Sequence, residues 1–478
     1  MKKRILYFIL LILVLADTGY SFLQHAGQPL DGDIAESAIP SKEVKPVFND
    51  PLGIKIILTH QSYPNPNRFF CHFAMKEYFD NVPLLLQEFV SPLESAYLSC
   101  AIFKTLVQLL LIILIAAVAS GSMNLLSLDF MLAAFLVSPL FQTNGYQRYM
   151  GIIDVSVSYT FFYAFPAALL LLYFLPFIFQ YYHSKKMGLP LLVKILWIPF
   201  AFVVCLSGPL NPGIILITSI LIFYFKIRRI YFYNYKEGSS GLTFRSQNKI
   251  PGNYWFYLLP VMLLSLYSLY IGKYNSNNIH VPLVQMYSRI LSGIYYLLTQ
   301  KLGMPLLILT VIFNILFIKH RLKERGGDKI FTIFRWFMVF VLVYILLLPL
   351  GGYRVYRPNI LRYDTMLPVT LGFVFMFAYS GLFILKNANT NQRKWYIPVL
   401  VIILFIFTLA DDPQFHKNAC EKKSIMEIAS SNDSIIQIPS DCVVLGWGPI
   451  KDPENSRLNA QLLVKWKIMD KVKLYYNK

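Results

Sequence analysis

Residues 157–180 read VSYTFFYAFPAALLLLYFLPFIFQ, 24 residues without one charged side chain. A bilayer core of about 30 Å is crossed by roughly 20 apolar residues in helical form, so this run predicts a membrane span. Ten further runs read the same way, near 5–24, 102–120, 127–143, 189–206, 213–226, 254–272, 303–318, 330–350, 366–385 and 395–410. The composition agrees. Of 478 residues, 56% are hydrophobic and only 14% charged, with a mean hydropathy of +0.52. Soluble domains carry about 25% charged residues, and disordered chains are far less apolar. Both classes are excluded. The predicted fold is an all-α polytopic membrane protein of about eleven transmembrane helices. Residues 1–410 form a multi-span domain, with a first external loop at 25–101, and 411–478 form a small extracytoplasmic α+β region.

The first run follows Met1-Lys-Lys-Arg4, which also suits a signal peptide. No small-x-small cleavage site follows it, so the reading is an uncleaved first helix. Orientation comes from the short loops. Segments 1–4, 121–128, 183–188, 226–250, 319–329 and 386–394 hold 19 Lys and Arg, whereas 143–154, 207–213, 273–302 and 351–365 hold 7 over nearly equal length. The positive-inside rule puts the first set in the cytoplasm. The N-terminus is then inside and the C-terminus outside. The formal net charge of +19 is largely this topology signal, and no nucleic-acid partner is needed to explain it.

Two polar segments fall outside. In 25–101, stretches 68–80 and 83–98 alternate apolar and polar positions at helical spacing and read as amphipathic helices in the interface. The tail 411–478 predicts a helix at 423–430, strand-like runs Ser434–Ile438 and Cys442–Leu445, and a Gly446-Trp447-Gly448 turn. Cys420 and Cys442 share this tail. They can pair if it lies outside the cytoplasm, although two free cysteines are the simpler alternative. Five cysteines without a C-x-x-C spacing give no metal framework.

The external charges carry the chemistry. Asp31-Gly32-Asp33 and Glu36 stand where the chain leaves the first span. Crowded carboxylates raise one another's pKa and suit general-base work on a hydroxyl. The same turn also reads as an ordinary helix cap. A second cluster, Arg354, Arg357, Arg362, Tyr363 and Asp364, occupies a loop on the side depleted in positive charge. Guanidinium groups bind phosphate through paired donors, and anchoring to lipid headgroups is the alternative. The run from His60 to Arg68 and the segment from Arg148 to Asp154 add candidates for a substrate cleft: His60, Arg68, Arg148, with Glu36 and Tyr363. No cofactor follows with certainty. His25 and His72 leave open a divalent metal held with Asp31 or Asp33, at a spacing that is not diagnostic.

This pattern resembles the GT-C superfamily of membrane glycosyltransferases. Those enzymes share a cytoplasmic N-terminus, a long first external loop with an acidic motif, and a late basic loop running into an Arg-Tyr…Pro span. Here Asp31-Gly-Asp33 and Arg362-Tyr-Asp-Thr-Met-Leu-Pro368 stand in those places. The sequence departs from the pattern in having Asp-Gly-Asp for an acidic doublet and no Lys-Pro-Pro run. The resemblance implies a sugar donor on a polyprenyl phosphate, with a glycan, lipid or protein acceptor among membrane lipids. It also implies Asp31 or Asp33 as base, Arg354, Arg357 or Arg362 on the donor phosphate, and inversion in one displacement. A bacterial inner membrane is the expected location.

Three rivals remain at this level: a polysaccharide polymerase or ligase, a transporter or flippase of lipid-linked saccharide, and a non-catalytic assembly factor. The late loop is short for the first. No internal repeat in the hydropathy pattern favours the second. No G-x-x-x-x-G-K-[ST] supplies ATP binding.

Overall fold

A computed structural model describes residues 2–141, 144–145, 150–184, 190–232, 252–299, 302–354 and 359–478. Among the described residues, nine helices are long and apolar enough to cross a membrane: Lys3–Ala26, Pro92–Ser120, Val157–Tyr181, Leu210–Ile227, Tyr254–Gly272, Gly303–Arg321, Gly327–Gly351, Leu367–Asn387 and Thr390–Leu409. Two shorter apolar helices, Leu128–Phe141 and Leu191–Cys205, lie where the other two runs are predicted. The protein is thus an integral membrane helical bundle with a small sheet. The first helix passes Asp17 unbroken because the Ser138 hydroxyl donates to that carboxylate.

Pro92–Ser120 lies at the centre. It packs against the helix beginning at Lys2, against Leu128–Val137, Phe165–Tyr181 and Leu367–Asn387. A second group, built by Leu191–Cys205, Leu210–Phe232 and Gly252–Gly272, packs beside Phe165–Tyr181. In the apolar interior Asn314 donates to Ser380 at 3.0 Å and accepts from Tyr396 Oη at 3.0 Å. Polar pairs of this kind hold membrane helices together where no hydrophobic drive exists between them.

Contacts sort the loops into two ends. At one end Tyr7 Oη reaches the Leu125 carbonyl at 3.4 Å, Lys386 pairs with Asp129 at 2.5 Å, His183 Nε2 meets the Val118 carbonyl at 2.9 Å, and Arg325 bonds the Asn387 carbonyl. At the other end Gly208 N donates to the Asn67 carbonyl at 3.1 Å, Ile279 N to the Tyr353 carbonyl at 2.8 Å, and Asn418 N to the Gly27 carbonyl at 3.0 Å. These are the two sets that loop charge separates.

The first external loop departs from its predicted form. One helix runs Phe69–Leu86 through Pro83, and the next begins at Pro92. The stretch 83–98 is therefore broken. Ser91 accepts from Glu94 N at 3.3 Å, and Pro92 takes the first helical position, where its missing N–H costs nothing. The loop 273–302 holds a helix, Leu283–Thr299, with Leu283, Val284, Leu291 and Tyr295 exposed. Gly293 lets this helix close on the late loop, since a Cβ there would sit 2.6 Å from Leu361 Cβ.

The tail is docked on the first external loop. It contains helices Ala419–Ser430 and Arg457–Lys465 and two parallel strands, β1 (Ile435–Ile438) and β2 (Leu474–Asn477), with Ile435 opposite Leu474. The expected strand at Cys442–Leu445 is irregular instead: Cys442 is disulfide-bonded to Cys420, and Leu445 is turned into a positive φ of 46°. Trp466 is fully buried and donates to the Phe79 carbonyl at 2.9 Å. Glu421 is buried and accepts from Leu30 N, Leu445 N and Tyr97 Oη, each at 2.9 Å.

Burial, with a smaller push from Asp31, raises the Glu421 carboxyl from its ordinary 4.5 to about 7 against the pull of its three donors. An undocked tail ionises at the ordinary value while the docked one keeps its proton. Docking therefore weakens as pH rises from 4.5 to about 7, by on the order of 3 kcal/mol, and changes little above that. Pulse proteolysis of the tail should give faster cleavage at pH 8 than at pH 5, calibrated with Glu421→Gln, in which that difference disappears.

Candidate functional site

Three segments at one end of the bundle meet around one cleft. Asn65 N donates to Asn275 Oδ1 at 3.0 Å, and Arg354 Nη2 donates to Asn65 Oδ1 at 2.7 Å. Two glycines permit the approach. A Cβ at Gly272 would lie 2.8 Å from Asn67 Nδ2, and one at Gly352, with φ of +95°, would lie 2.6 Å from Asn278 Nδ2. The cleft holds about 400 Å³ and is open on one side. Arg68, Lys273, Arg354 and Arg362 line it together with Leu269, Leu347 and Leu350. No acidic side chain lines it among the described residues.

The four cations differ in their partners. Arg362 is clamped to buried Asp364 by two bonds, at 3.0 and 2.5 Å, and Asp364 also accepts from Thr365 N at 2.8 Å. Arg354 rests on Asn65. Arg68 is only 7% exposed, and its guanidinium lies 5.6 Å from the Phe162 ring centre and 5.7 Å from that of Tyr163. Among the described residues neither Arg68 nor Lys273 pairs with a carboxylate. Tyr163 reaches the cleft from a π-helical turn, Thr160–Ala164, inside the fourth apolar run. Such turns re-aim side chains and recur at functional sites.

The acidic motif lies elsewhere. Asp31 is buried and accepts from Ser156 Oγ at 2.7 Å, Ser158 N at 3.0 Å, Ser158 Oγ at 2.5 Å and Asp33 N at 3.1 Å. These donors occupy the roughly four lone-pair positions of a carboxylate, so Asp31 anchors the turn that starts the Val157–Tyr181 helix. Asp33 accepts from Trp447 Nε1 at 2.9 Å. Neither lines the cleft. Glu36 is on the same short helix, Asp33–Ala38, and desolvation together with Asp33 and Glu43 raises its carboxyl. His60 caps the Ile54–Thr59 helix at a φ of 55° and meets Tyr274 Oη at 3.2 Å, away from the cleft wall. Tyr363 packs on Gly151, where a Cβ would lie 2.4 Å from its ring. Arg148 and Arg357 lie outside the described residues.

Asp154 joins the two motifs. It accepts from Ser156 N at 2.7 Å and lies in the electrostatic field of Lys104, Asp364 and Asp31. Burial raises its carboxyl, and the same burial and Asp154 itself raise the Tyr363 hydroxyl. Sequence reasoning put Arg354, Arg362 and Arg68 in one site, and the structure brings these three together. It missed Lys273, Asn275 and Asn278 on the cleft wall. The signal was available as Lys273-Tyr-Asn275-Ser-Asn-Asn278, a polar turn on the same side as the arginines.

His25 Nε2 faces Gln108 Oε1 at 3.2 Å, and His72 is enclosed between Phe48 and Phe162 rings at 6.5 and 4.9 Å. Among the described residues these histidines do not gather with Asp31 and Asp33 into a metal-ligating cluster. No known protein family, curated protein or solved structure matches this chain.

Proposed function

We propose that the chain is a membrane glycosyltransferase that moves a sugar from a polyprenyl-phosphate donor to a glycan, lipid or protein acceptor. Arg68 carries the reading. A buried cation without a carboxylate partner is costly unless an anion arrives, and Arg68 opens on a cleft that already holds Lys273, Arg354 and Arg362. The leucines on that wall suit a prenyl chain and the four cations suit its phosphate. The arrangement has eleven spans with the cytoplasm at the Lys/Arg-rich end, in a bacterial inner membrane. The Cys420–Cys442 disulfide favours an oxidising compartment for the tail.

In the reaction, an acceptor hydroxyl oxygen attacks the anomeric carbon as the bond from that carbon to the phosphate oxygen breaks. The electron pair leaves with polyprenyl phosphate, whose growing charge Arg68, Arg354 and Lys273 stabilise. The acceptor proton passes to a carboxylate. Asp154 takes this role in our reading although it lies behind the cleft wall, because Asp31 is saturated by four donors whereas Asp154 accepts only from Ser156 N, in the field of Lys104 and Asp364. One displacement inverts the anomeric centre.

The test is turnover of radiolabelled polyprenyl-phosphate sugars by purified protein in lipid, with sugar and lipid phosphate both followed. Matched release of lipid phosphate and transfer of sugar is expected. Movement of intact donor between leaflets without bond cleavage would instead establish a flippase.

A further inference from the structure

An exposed indole stands on the acidic motif. Trp447 is 58% exposed although its Nε1 is held by Asp33 at 2.9 Å. It lies directly on the chain at Gly32, where a Cβ would be 2.6 Å from the indole Cδ1. The glycine between the two aspartates is therefore required by the indole. Tyr159 stacks with Trp447 at 5.6 Å and 28°. Tyr159 in turn meets Tyr163 edge-on at 5.7 Å, and Tyr163 is the ring beneath Arg68. A row of aromatic rings thus runs from the open surface of the tail to the basic cleft.

A large apolar ring left 58% exposed, yet fixed by a hydrogen bond, is organised for something that stacks. Asp33 holds the indole and Glu36 lies one turn further along the same helix; ionised carboxylates offer only acceptor oxygens, which suit hydroxyl donors and repel anions. Rings that present C–H faces together with hydroxyl groups satisfy both requirements.

We propose that Trp447, Tyr159 and the carboxylates of Asp33 and Glu36 form a subsite for a neutral saccharide acceptor, leading its terminal hydroxyl toward the basic cleft. This rests on the transferase reading for its role and stands apart from it as a binding site. The tail is then part of the substrate path, and its docking decides whether the subsite exists.

The experiment uses the full chain in lipid nanodiscs and three probes: maltotriose, mannotriose and chitotriose. Binding is read by saturation-transfer NMR and titration calorimetry, without a lipid donor. At least one probe should bind saturably, and Trp447→Ala should weaken it tenfold or more. Trp447→Phe should recover most of the affinity. Gly32→Ala, which displaces the indole without removing it, should weaken binding as Trp447→Ala does. Trp395→Ala, which removes an 81% exposed indole outside the site, should bind like wild type. Protease resistance of the tail, measured for each variant, separates loss of the subsite from loss of docking. No saturable binding by any probe, or unchanged binding in a Trp447→Ala protein with a docked tail, overturns the proposal. Trp447-dependent binding in a protein that transfers no sugar overturns the transferase reading and leaves the subsite standing.

Discussion

Replacing Arg68 by methionine should abolish most turnover, by about 10²–10³-fold, while leaving thermal stability equal to wild type or higher. The two effects have one origin. Arg68 is 7% exposed, and among the described residues its guanidinium has aromatic rings but no paired carboxylate beside it. Cation–π contact returns about 0.5–2 kcal/mol, less than the several kcal/mol that desolvating a charge costs. Methionine fills much of the same volume against Phe162 and Tyr163 and removes the charge. With donor bound the balance reverses, because the phosphate finds one fewer cation just as its leaving-group charge develops. Arg362→Met is a contrasting case. It strips Asp364 of its bidentate partner, and Asp364 is 3% exposed, so about 3–5 kcal/mol of stability should be lost. Thermal unfolding and turnover on the two variants check the argument. Arg68→Met that is both active and no less stable would show that the cleft does not bind the donor phosphate.

The helices were largely legible because a span is a question of length and apolarity, and both are local. All eleven apolar runs coincide with described helices, including the two short ones at Leu128–Phe141 and Leu191–Cys205. The loops sort to the two ends as their charge suggests. Legibility fails where the deciding contact is remote. The stretch 83–98 has helical spacing throughout, yet Ser91 and Pro92 restart the helix inside it. The strand expected at Cys442 was displaced by β2 at the chain's end, whose pairing with β1 no local pattern announces. Tail docking depends on Glu421 meeting Leu30 N and Tyr97, more than 300 residues earlier.

The site divides in the same way. Arg354 and Arg362 stood out in sequence as arginines on the side poor in positive charge, and Arg68 as a separate cleft candidate; the structure puts the three on one cleft wall. The polar wall from Asn275 and Asn278 was hidden inside a loop that charge reading used only for orientation. Asp31 illustrates the deepest limit. Three crowded carboxylates look like a base in any linear reading. Whether one is free to accept a proton depends on who donates to it, and the Ser156 and Ser158 donors come from the start of a helix more than 120 residues later.

That distinction yields the second large effect. Asp154→Asn should lower turnover by about 10²–10⁴-fold, the usual contribution of a positioned base, and should also cost stability, because it removes the main counter-charge of fully buried Lys104. Asparagine keeps the Oδ1 acceptor for Ser156 N, and buried Lys104 retains its bond to the Val155 carbonyl at 2.9 Å. Asp31→Asn should act chiefly on stability. Its amide nitrogen must face Ser158 N or one of the two serine hydroxyls, so a charge-assisted bond is lost, at about 1.5–3 kcal/mol. Activity should fall only as far as the helix start at Ser156 loosens. The pH profile separates a base from a support. Burial holds the Asp154 carboxyl above the ordinary aspartate range, so wild-type kcat/KM should drop on acidification while the protein is still folded. The acidic limb should persist in Asp31→Asn and disappear from the residual activity of Asp154→Asn. An acidic limb that vanishes in Asp31→Asn and stays in Asp154→Asn would return the base to the acidic motif and make the 154–158 turn its support.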